Sequence, residues 1–196
     1  MSKVFLFDCG NVIVRNIDTV CMMASKLSLP FSAMHELYLE CEARLFKGEV
    51  KEEDYYRIIE ERFDVRVDEN LFYTCFNPVL NDSVVSLASR LKNDSQIVAM
   101  ATNSIDTHFE KIRALWPFLD DIFTYYPSHI IGKKKPDEDY YDYIRVSLGS
   151  EYSQMVLVDD LEENINSALS LGMKAFRYSF NDRELESFLS AFEKEE

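Results

Sequence analysis

The chain has 196 residues, 47% of them hydrophobic and 29% charged, which suits one packed domain with a modest insertion and excludes general disorder. Its formal net charge of −14 argues against nucleic acid or an anionic membrane surface as the main partner, because phosphate groups bind clustered lysine and arginine. An anionic substrate would therefore need a metal ion or a local basic pocket.

The four cysteines have neither the spacing of a zinc site nor that of a disulfide framework, and they indicate reduced thiols in the cytoplasm. They are Cys9, Cys21, Cys41 and Cys75. The first apolar run ends too early for a signal peptide, and no run of about 18 apolar residues follows it. We therefore expect a cytoplasmic protein that is neither secreted nor inserted in a membrane.

The apolar run from Val4 to Phe7 predicts a short buried strand, and Asp8 follows it directly. A carboxylate at the carboxyl end of such a strand lies where open α/β sheets bind ligands. Taken alone, Asp8 could equally cap the next turn. The later segments of the chain decide between these two interpretations.

Residues 16–81 show helical spacing of apolar side chains and no strand alternation. Pro30 indicates a helix start, residues 47–49 a break between helices, and Asn77-Pro78 the end of the helical block. We therefore predict an all-helical insertion after the first strand. Its larger aromatic side chains are expected to pack within it or against the rest of the chain: Tyr38, Phe46, Tyr55 and Tyr56.

After residue 81 the pattern alternates between helix and strand. Predicted strands cover residues 96–101, 121–124, 154–158 and 173–177. Predicted helices cover residues 84–91, 106–115, 136–148, 161–171 and 182–192. This alternation is typical of the α/β class, and it predicts a doubly wound, Rossmann-like parallel sheet with helices on both faces. The core would consist of residues 1–15 and 82–196, and it would enclose a cleft with the insertion at 16–81.

Polar groups follow three of the predicted strands and should meet at one edge of the sheet. They are Asp8, then Thr102 with Asn103, and then Asp159 with Asp160. Clustered carboxylates repel one another unless a divalent cation neutralises them, and oxygen ligands suit Mg²⁺. A loop containing Lys135 leads into the helix between the last two of these strand ends. Each group also has a structural alternative, as a helix cap for Thr102 and Asp159-Asp160 or as a solvated loop for Lys135.

In this order the groups resemble the four motifs of the haloacid dehalogenase-like (HAD-like) hydrolase superfamily. The matching positions are Asp8, Thr102, Lys135-Pro136 and Asp159-Asp160, the last followed by Asn164. The insertion after the first motif resembles the helical cap of the subfamily that carries its cap there. Residues 8–13 are similar to bacterial sugar-1-phosphate phosphatases, and residues 102–173 to the phosphatase domain of soluble epoxide hydrolases.

The resemblance implies that Asp8 attacks phosphorus and becomes an aspartyl phosphate, which splits one hydrolysis into two easier steps. It also implies a Mg²⁺ site made by Asp8, the backbone carbonyl of Gly10 and Asp160. Asp159 would lie close by or bind the metal through water.

The same resemblance implies that the Thr102 hydroxyl and the Lys135 ammonium hold the phosphoryl oxygens and act as catalytic groups. Asn103 would support phosphate binding, and Asn164 would hydrogen-bond around the site. In the cap, Arg44 could contact the substrate, together with Lys47 and Glu49 near the break at Gly48. A solvated helix end is the alternative for all three.

The chain departs from most phosphatases of this superfamily at Gly10, where they carry a second aspartate for proton transfer. The similar sugar-1-phosphate phosphatases also have glycine there. Dehalogenases have an aromatic residue at this position and an arginine in the cap, so dehalogenation is the weaker interpretation. A binding or regulatory protein with little turnover is the alternative from another class.

The sequence therefore predicts a Mg²⁺-dependent phosphomonoesterase whose partner is a small phosphorylated metabolite, with sugar phosphates as candidates. Its oligomeric state is left open. The three histidines lack partner motifs and are expected to have surface or packing roles: His35, His108 and His129.

Overall fold

A five-stranded parallel sheet forms the centre of the computed structural model, which describes residues 3–194. In chain order the strands are β1 (Val4–Phe7), β2 (Val14–Arg15), β3 (Val79–Leu80), β4 (Ile97–Thr102), β5 (Thr124–Pro127), β6 (Met155–Asp159) and β7 (Lys174–Arg177). The order across the sheet is β5-β4-β1-β6-β7, so β1 is central. The predicted doubly wound α/β fold is confirmed.

Helices cover both faces of the sheet and form a separate inserted segment. They are α1 (Val20–Lys26), α2 (Phe31–Phe46), α3 (Glu52–Phe63), α4 (Leu71–Cys75), α5 (Asp82–Asn93), α6 (Asp106–Leu115), α7 (Ser128–Ile131), α8 (Glu138–Leu148), α9 (Glu162–Ser170) and α10 (Asp182–Lys194). Short 3₁₀ helices lie at Pro117–Asp121 and Tyr152–Gln154. No helix within residues 3–194 is both long and apolar enough to cross a membrane.

Alternate residues of β1 pack on opposite faces of the sheet, as the two-residue period of a strand requires. Phe5 and Phe7 belong to an apolar cluster with residues of α5 and α10. Val4 and Leu6 belong to a second cluster with residues of α8 and α9. All four side chains are fully buried, which explains why this strand is continuously apolar in sequence.

The helices α1 to α4 lie between the antiparallel strands β2 and β3 and have an apolar core of their own. That core includes Met23, Leu37, Ile59 and Phe72. The four aromatic residues expected to pack here do so: Tyr55 is buried in this core, and Tyr38, Phe46 and Tyr56 pack against it. The domain division at residues 16–81 stays a prediction, and all four helices lie inside it.

The predicted strand at residues 121–124 was placed too early, since β5 runs from Thr124 to Pro127. Pro117 begins a 3₁₀ helix that occupies the chain as far as Asp121 and delays the strand. The helix predicted from residue 136 begins at Glu138, because Asp137 has an extended backbone at the helix start. Both errors lie away from the strand ends that carry the candidate site.

The loop between α2 and α3 brings the inserted helices against the core at Gly48. Gly48 has a φ of +66°, and a Cβ on it would lie 2.5 Å from the backbone oxygen of His129. The neighbouring Lys47 Nζ forms an ion pair with Asp137 Oδ2 at 3.1 Å. The break predicted at residues 47–49 is therefore also a contact between the two parts of the chain.

Candidate active site

Three carboxylates meet at the carboxyl edge of the central strands. Asp8 follows β1, and its backbone N–H donates to the Val158 carbonyl at 2.9 Å, which extends the sheet by one residue. Asp159 is the last residue of β6, and Asp160 follows it. Each of the three aspartates offers a carboxylate oxygen within 4.8 Å of the others. The structure thus brings together the strand ends on which the sequence prediction depended.

Lys135 lies buried between two of these carboxylates. Its Nζ is 2.7 Å from Asp8 Oδ1 and 2.6 Å from Asp159 Oδ2, and its side chain is 1% exposed. Burial alone would lower the pKa of Lys135, but the attraction of Asp159 and Asp8 outweighs it and raises this pKa above the ordinary value. Lys135 is therefore a fixed positive charge beside the Asp8 carboxylate, and the solvated-loop alternative is wrong.

Asn103 fixes the loop that carries Lys135. Its Nδ2 donates to the Lys135 carbonyl, and its Oδ1 accepts from the Lys135 backbone N–H, each at 2.9 Å. This reciprocal pair joins the end of β4 to a loop 32 residues later in the chain. Asn103 also lines the cavity described below, but both ends of its amide are already engaged. Its clearest structural role is to position Lys135.

Asp159 is fully buried, and hydrogen bonds occupy both of its oxygens. Oδ1 accepts from the Leu161 backbone N–H and from Asn164 Nδ2, both at 2.9 Å, while Oδ2 contacts Lys135. Asp159 therefore fixes the turn before α9, but the helix-cap alternative is wrong for it, because α9 begins at Glu162 with Leu161 at its N-cap position and has no side-chain cap hydrogen bond. Asp160 is half-buried and accepts from Asn11 Nδ2 at 2.9 Å through one oxygen.

The cluster of three carboxylates and one ammonium carries an excess of negative charge. Burial raises the pKa of Asp8 to about 7, the neighbouring Asp159 and Asp160 act in the same direction, and Lys135 opposes them. A divalent cation would relieve this repulsion, and the donor atoms fit one. Asp8 and Asp160 each have a second carboxylate oxygen, and the buried Oδ1 of Asn164 has no hydrogen-bond partner within the described chain. Oxygen donors of this kind suit Mg²⁺.

Thr102 is the last residue of β4 and is 3% exposed. Its hydroxyl makes only a long hydrogen bond, 3.4 Å, to the Asn103 carbonyl. The alternative that Thr102 caps the following helix is wrong, because α6 begins at Asp106 with Ile105 at its N-cap position. The Thr102 hydroxyl therefore lies at the edge of the sheet, and among the described residues it makes no hydrogen bond of ordinary length.

A cavity of about 410 Å³ opens above this cluster, between the sheet edge and α2. Asp8, Lys135 and Asp160 line its floor, and Tyr38 and Phe46 line the side made by α2. An adjoining cavity of about 120 Å³ extends from it and reaches Thr102. The site therefore has a charged floor and walls supplied by the inserted helices.

Arg44 does not line this cavity and is exposed, so its predicted contact with the substrate is not supported by its position. The cavity-facing positions of α2 are Tyr38, Glu42 and Phe46, which repeat every four residues. Arg44 is two positions from Glu42 on this helix and therefore faces away from these three residues. Lys47 is engaged with Asp137, and Glu49 is exposed.

Glu42 is a cavity residue that the sequence interpretation missed. It is half-buried, and burial raises the pKa of its carboxyl, which Lys134 partly opposes. The four-residue spacing from Tyr38 to Phe46 is the sequence signal that could have identified it. This carboxyl lies on the cap side of the cavity and outside the three-aspartate cluster.

Ile17 occupies the space beside Gly10. A Cβ on Gly10 would lie 2.8 Å from Ile17 Cδ1 and 3.9 Å from Asp8 Oδ2. Position 10, where the sequence resemblance leads us to expect a second aspartate, therefore borders both the Asp8 carboxylate and an apolar side chain. Here the apolar side chain fills that space.

The histidines have the packing and surface positions expected of them. Burial lowers the pKa of His108 to about 3, and its ring stacks on Phe76 with centroids 4.0 Å apart. His129 Nδ1 lies 3.1 Å from the Ser104 hydroxyl, and burial lowers the pKa of His129. The exposed His35 contacts the ring of Phe31.

No protein-family model matches the chain. It is 25% identical over 179 residues to the sesquiterpene phosphatase astK of Aspergillus oryzae, and the match covers 87% of each chain. It is also 24% identical over 191 residues to the drimenol cyclase drtB of Aspergillus calidoustus, which covers 93% of this chain but only 35% of the cyclase.

Several solved structures share the fold. The HAD family enzyme bt-2542 of Bacteroides thetaiotaomicron, in complex with magnesium and inorganic phosphate, matches with a TM-score of 0.79 at 19% identity, covering 92% of this chain and 96% of that one. A predicted HAD-like family hydrolase from Porphyromonas gingivalis matches with a TM-score of 0.82 at 17% identity over 100% of both chains. The L-2-haloacid dehalogenase of Xanthobacter autotrophicus gives a lower TM-score of 0.60 at 18% identity, covering 100% of this chain and 90% of that one.

These matches confirm the family resemblance found in the sequence. The chain has the parallel-sheet fold of the HAD family structures that it matches, and the positions that resemble the four motifs occur in the same order along the chain.

Proposed function

We propose that the protein is a Mg²⁺-dependent phosphomonoesterase that hydrolyses a small phosphorylated metabolite through an aspartyl-phosphate intermediate. The observation that carries this proposal is the cluster of Asp8, Lys135, Asp159 and Asp160 on the cavity floor. Three carboxylates would repel a phosphate dianion, whereas the same cluster with a bound divalent cation would attract it. The phosphatase name of one relative and the magnesium and phosphate in a structural neighbour support the same activity.

Asp8 is the proposed nucleophile because one of its oxygens is held by Lys135 and the other is available to the cavity. Its carboxylate would form the bond to phosphorus as the bond to the alcohol oxygen breaks, and water would then hydrolyse the acyl phosphate to inorganic phosphate and regenerate Asp8. Lys135 and the Thr102 hydroxyl would stabilise the negative charge on the phosphoryl oxygens.

The residues proposed to hold Mg²⁺ are Asp8, Asp160 and the carbonyl of Gly10. When bound, the ion would offset the charge of the carboxylates and of the phosphoryl group. Asp159 is proposed to act on the site through Lys135, because both of its oxygens are already hydrogen-bonded. The cytoplasmic location stays a prediction.

The test is release of inorganic phosphate from a panel of monoesters that includes p-nitrophenyl phosphate, measured with Mg²⁺ and with EDTA. We expect hydrolysis in Mg²⁺ that EDTA abolishes and added Mg²⁺ restores. Hydrolysis that is indifferent to EDTA would contradict the metal requirement. If no monoester were hydrolysed but beryllium fluoride with Mg²⁺ still raised the melting temperature, the binding or regulatory alternative, which the glycine at position 10 favours, would replace the proposal.

Glu42 is proposed to supply the proton transfer that Gly10 cannot, since its carboxyl faces the cavity and burial raises its pKa. We expect Glu42→Gln to slow hydrolysis of an alkyl phosphate by about 10²-fold, because an alkoxide leaves only with a proton. Hydrolysis of p-nitrophenyl phosphate should change far less, because nitrophenolate leaves without one. The measurement is the ratio of kcat/KM for the two esters. The exposed Glu36 of the same helix gives the control Glu36→Gln, and an equal loss on both esters would contradict the assignment.

A further inference from the structure

We infer that the substrate carries its phosphate on an apolar hydrocarbon group, in place of the polyhydroxylated sugar that the sequence resemblance suggested. This inference rests on the proposed phosphomonoesterase and concerns the same site. It depends on what surrounds the charged floor of the cavity.

Part of the wall of this cavity is apolar. Ile17 packs at Gly10, within the same cavity as Asp8, and Val20 and Leu161 also line this cavity. Phe46 closes the side formed by α2. A group attached to a phosphate on Asp8 would therefore meet aliphatic and aromatic carbon on leaving the charged floor.

The apolar lining continues into the adjoining smaller cavity. Val14, Phe76 and Ile112 line that space, and all three are buried. The ring of His108 lies beside Phe76, and burial keeps this ring neutral. Ile17 and Phe46 border both spaces, so the apolar part of the wall continues from one space into the other, although Thr19, Tyr38 and Asn103 also border both.

Several of the polar side chains around this surface already have a partner in the protein. Asn103 is paired with Lys135, the Asn11 amide donates to Asp160, and the Ser104 hydroxyl contacts His129. Asp18, Thr19, Tyr38 and Glu42 also offer polar atoms to the larger cavity, and the Glu42 carboxyl is assigned to the leaving oxygen. A sugar would have to leave water for a cavity in which part of the wall is apolar, and each hydroxyl group facing that part would lose a hydrogen bond. A hydrocarbon group would lose no hydrogen bonds on leaving water, and the burial of its apolar surface would favour binding.

The test compares n-alkyl phosphates from ethyl to octyl, together with hexyl phosphate against glucose 6-phosphate. The last two are both six-carbon primary monoesters and differ mainly in ring and hydroxyl groups. We expect kcat/KM to rise by about fourfold per added methylene until the cavity is filled. We also expect hexyl phosphate to exceed glucose 6-phosphate by at least about tenfold. A flat or falling series, or a preference for glucose 6-phosphate, would overturn the inference.

Binding of n-alkyl phosphonates, which cannot be hydrolysed, separates this inference from the proposed function. Their affinity for the Mg²⁺-loaded protein is measured by calorimetry. If affinity increases with chain length while no monoester is hydrolysed, the apolar site stands and the phosphatase proposal fails. If monoesters are hydrolysed but phosphonate affinity is independent of chain length, the apolar site is wrong and the phosphatase proposal stands.

Two variants of the apolar wall connect the chain-length dependence to this surface. Phe46→Ser and Ile17→Thr are each expected to reduce the increase in kcat/KM per added methylene. Ile17→Thr is the smaller change and serves as the second test in case Phe46→Ser does not fold. Leu39→Ser is the matched control, since Leu39 lies on the same helix as Phe46 but is 56% exposed. Melting temperatures will show whether both wall variants are folded. If the folded variants kept the wild-type increase in kcat/KM per methylene, the hydrocarbon would have to bind elsewhere and the assignment would be wrong.

Discussion

Replacing Asp8 with asparagine is expected to abolish Mg²⁺-dependent phosphate release while leaving the protein folded. Asparagine keeps the shape of the side chain and an oxygen that can accept from Lys135, but it cannot form the acyl phosphate. We expect kcat/KM for p-nitrophenyl phosphate to fall by about 10⁴-fold or more, as when a covalent nucleophile is removed. The melting temperature without metal should stay level or rise, because one of three clustered carboxylates has lost its charge.

The control for Asp8→Asn is the same substitution at Asp94, whose carboxylate pairs with Arg90 on the surface. That variant should keep wild-type activity. Trapping of labelled phosphate on the protein after acid quenching, present in the wild type and absent from Asp8→Asn, would identify the intermediate directly. Retention of a tenth of the wild-type rate by Asp8→Asn would show that another group attacks phosphorus.

Replacing Lys135 with methionine is expected to remove both activity and a large part of the stability. The ammonium lies 2.7 Å from Asp8 and 2.6 Å from Asp159, and without it two buried carboxylates lose their counter-charge. Breaking a buried pair in this way costs about 3–5 kcal/mol of the free energy of unfolding. Urea unfolding in the presence of EDTA measures this loss without compensation by a bound cation.

Two further variants separate charge from packing in the Lys135→Met experiment. Lys135→Met combined with Asp159→Asn should regain part of the lost stability, because one orphaned charge is removed, but it should remain inactive. Lys133→Met breaks an ion pair between partly exposed side chains and should cost no more than about 1 kcal/mol. If Lys135→Met unfolded with the wild-type free energy, the buried cluster would not be held together as described.

The strand ends were predictable from sequence because the signals are local. The continuous apolar run of β1 reflects burial on both faces of the sheet, and parallel strands present their carboxyl ends at one edge. This was enough to expect Asp8, Thr102 and Asp159 together. The pairing of Asn103 with Lys135 was not predictable in the same way, because it joins a strand end to a loop whose position depends on the whole tertiary structure.

The cap side of the cavity was predicted less well, for a reason of helix geometry. Arg44 is close in sequence to the break at Gly48, but the rotation of α2 decides which side chains reach the cavity. That rotation places Tyr38, Glu42 and Phe46 on the inner face. The helix period was readable from the sequence, but the direction of the inner face needed the packed structure.

The contact between Ile17 and Gly10 has an evolutionary consequence. An aspartate at position 10 would bring a second carboxyl group next to Asp8, the proposed nucleophile, but its Cβ would require the terminal methyl of Ile17 to move from a point 2.8 Å away. The displaced methyl belongs to the wall that we assign to the hydrocarbon group. A lineage that gained the second aspartate would thus shift part of this wall in the same step, so we expect turnover and substrate preference to be coupled at this position.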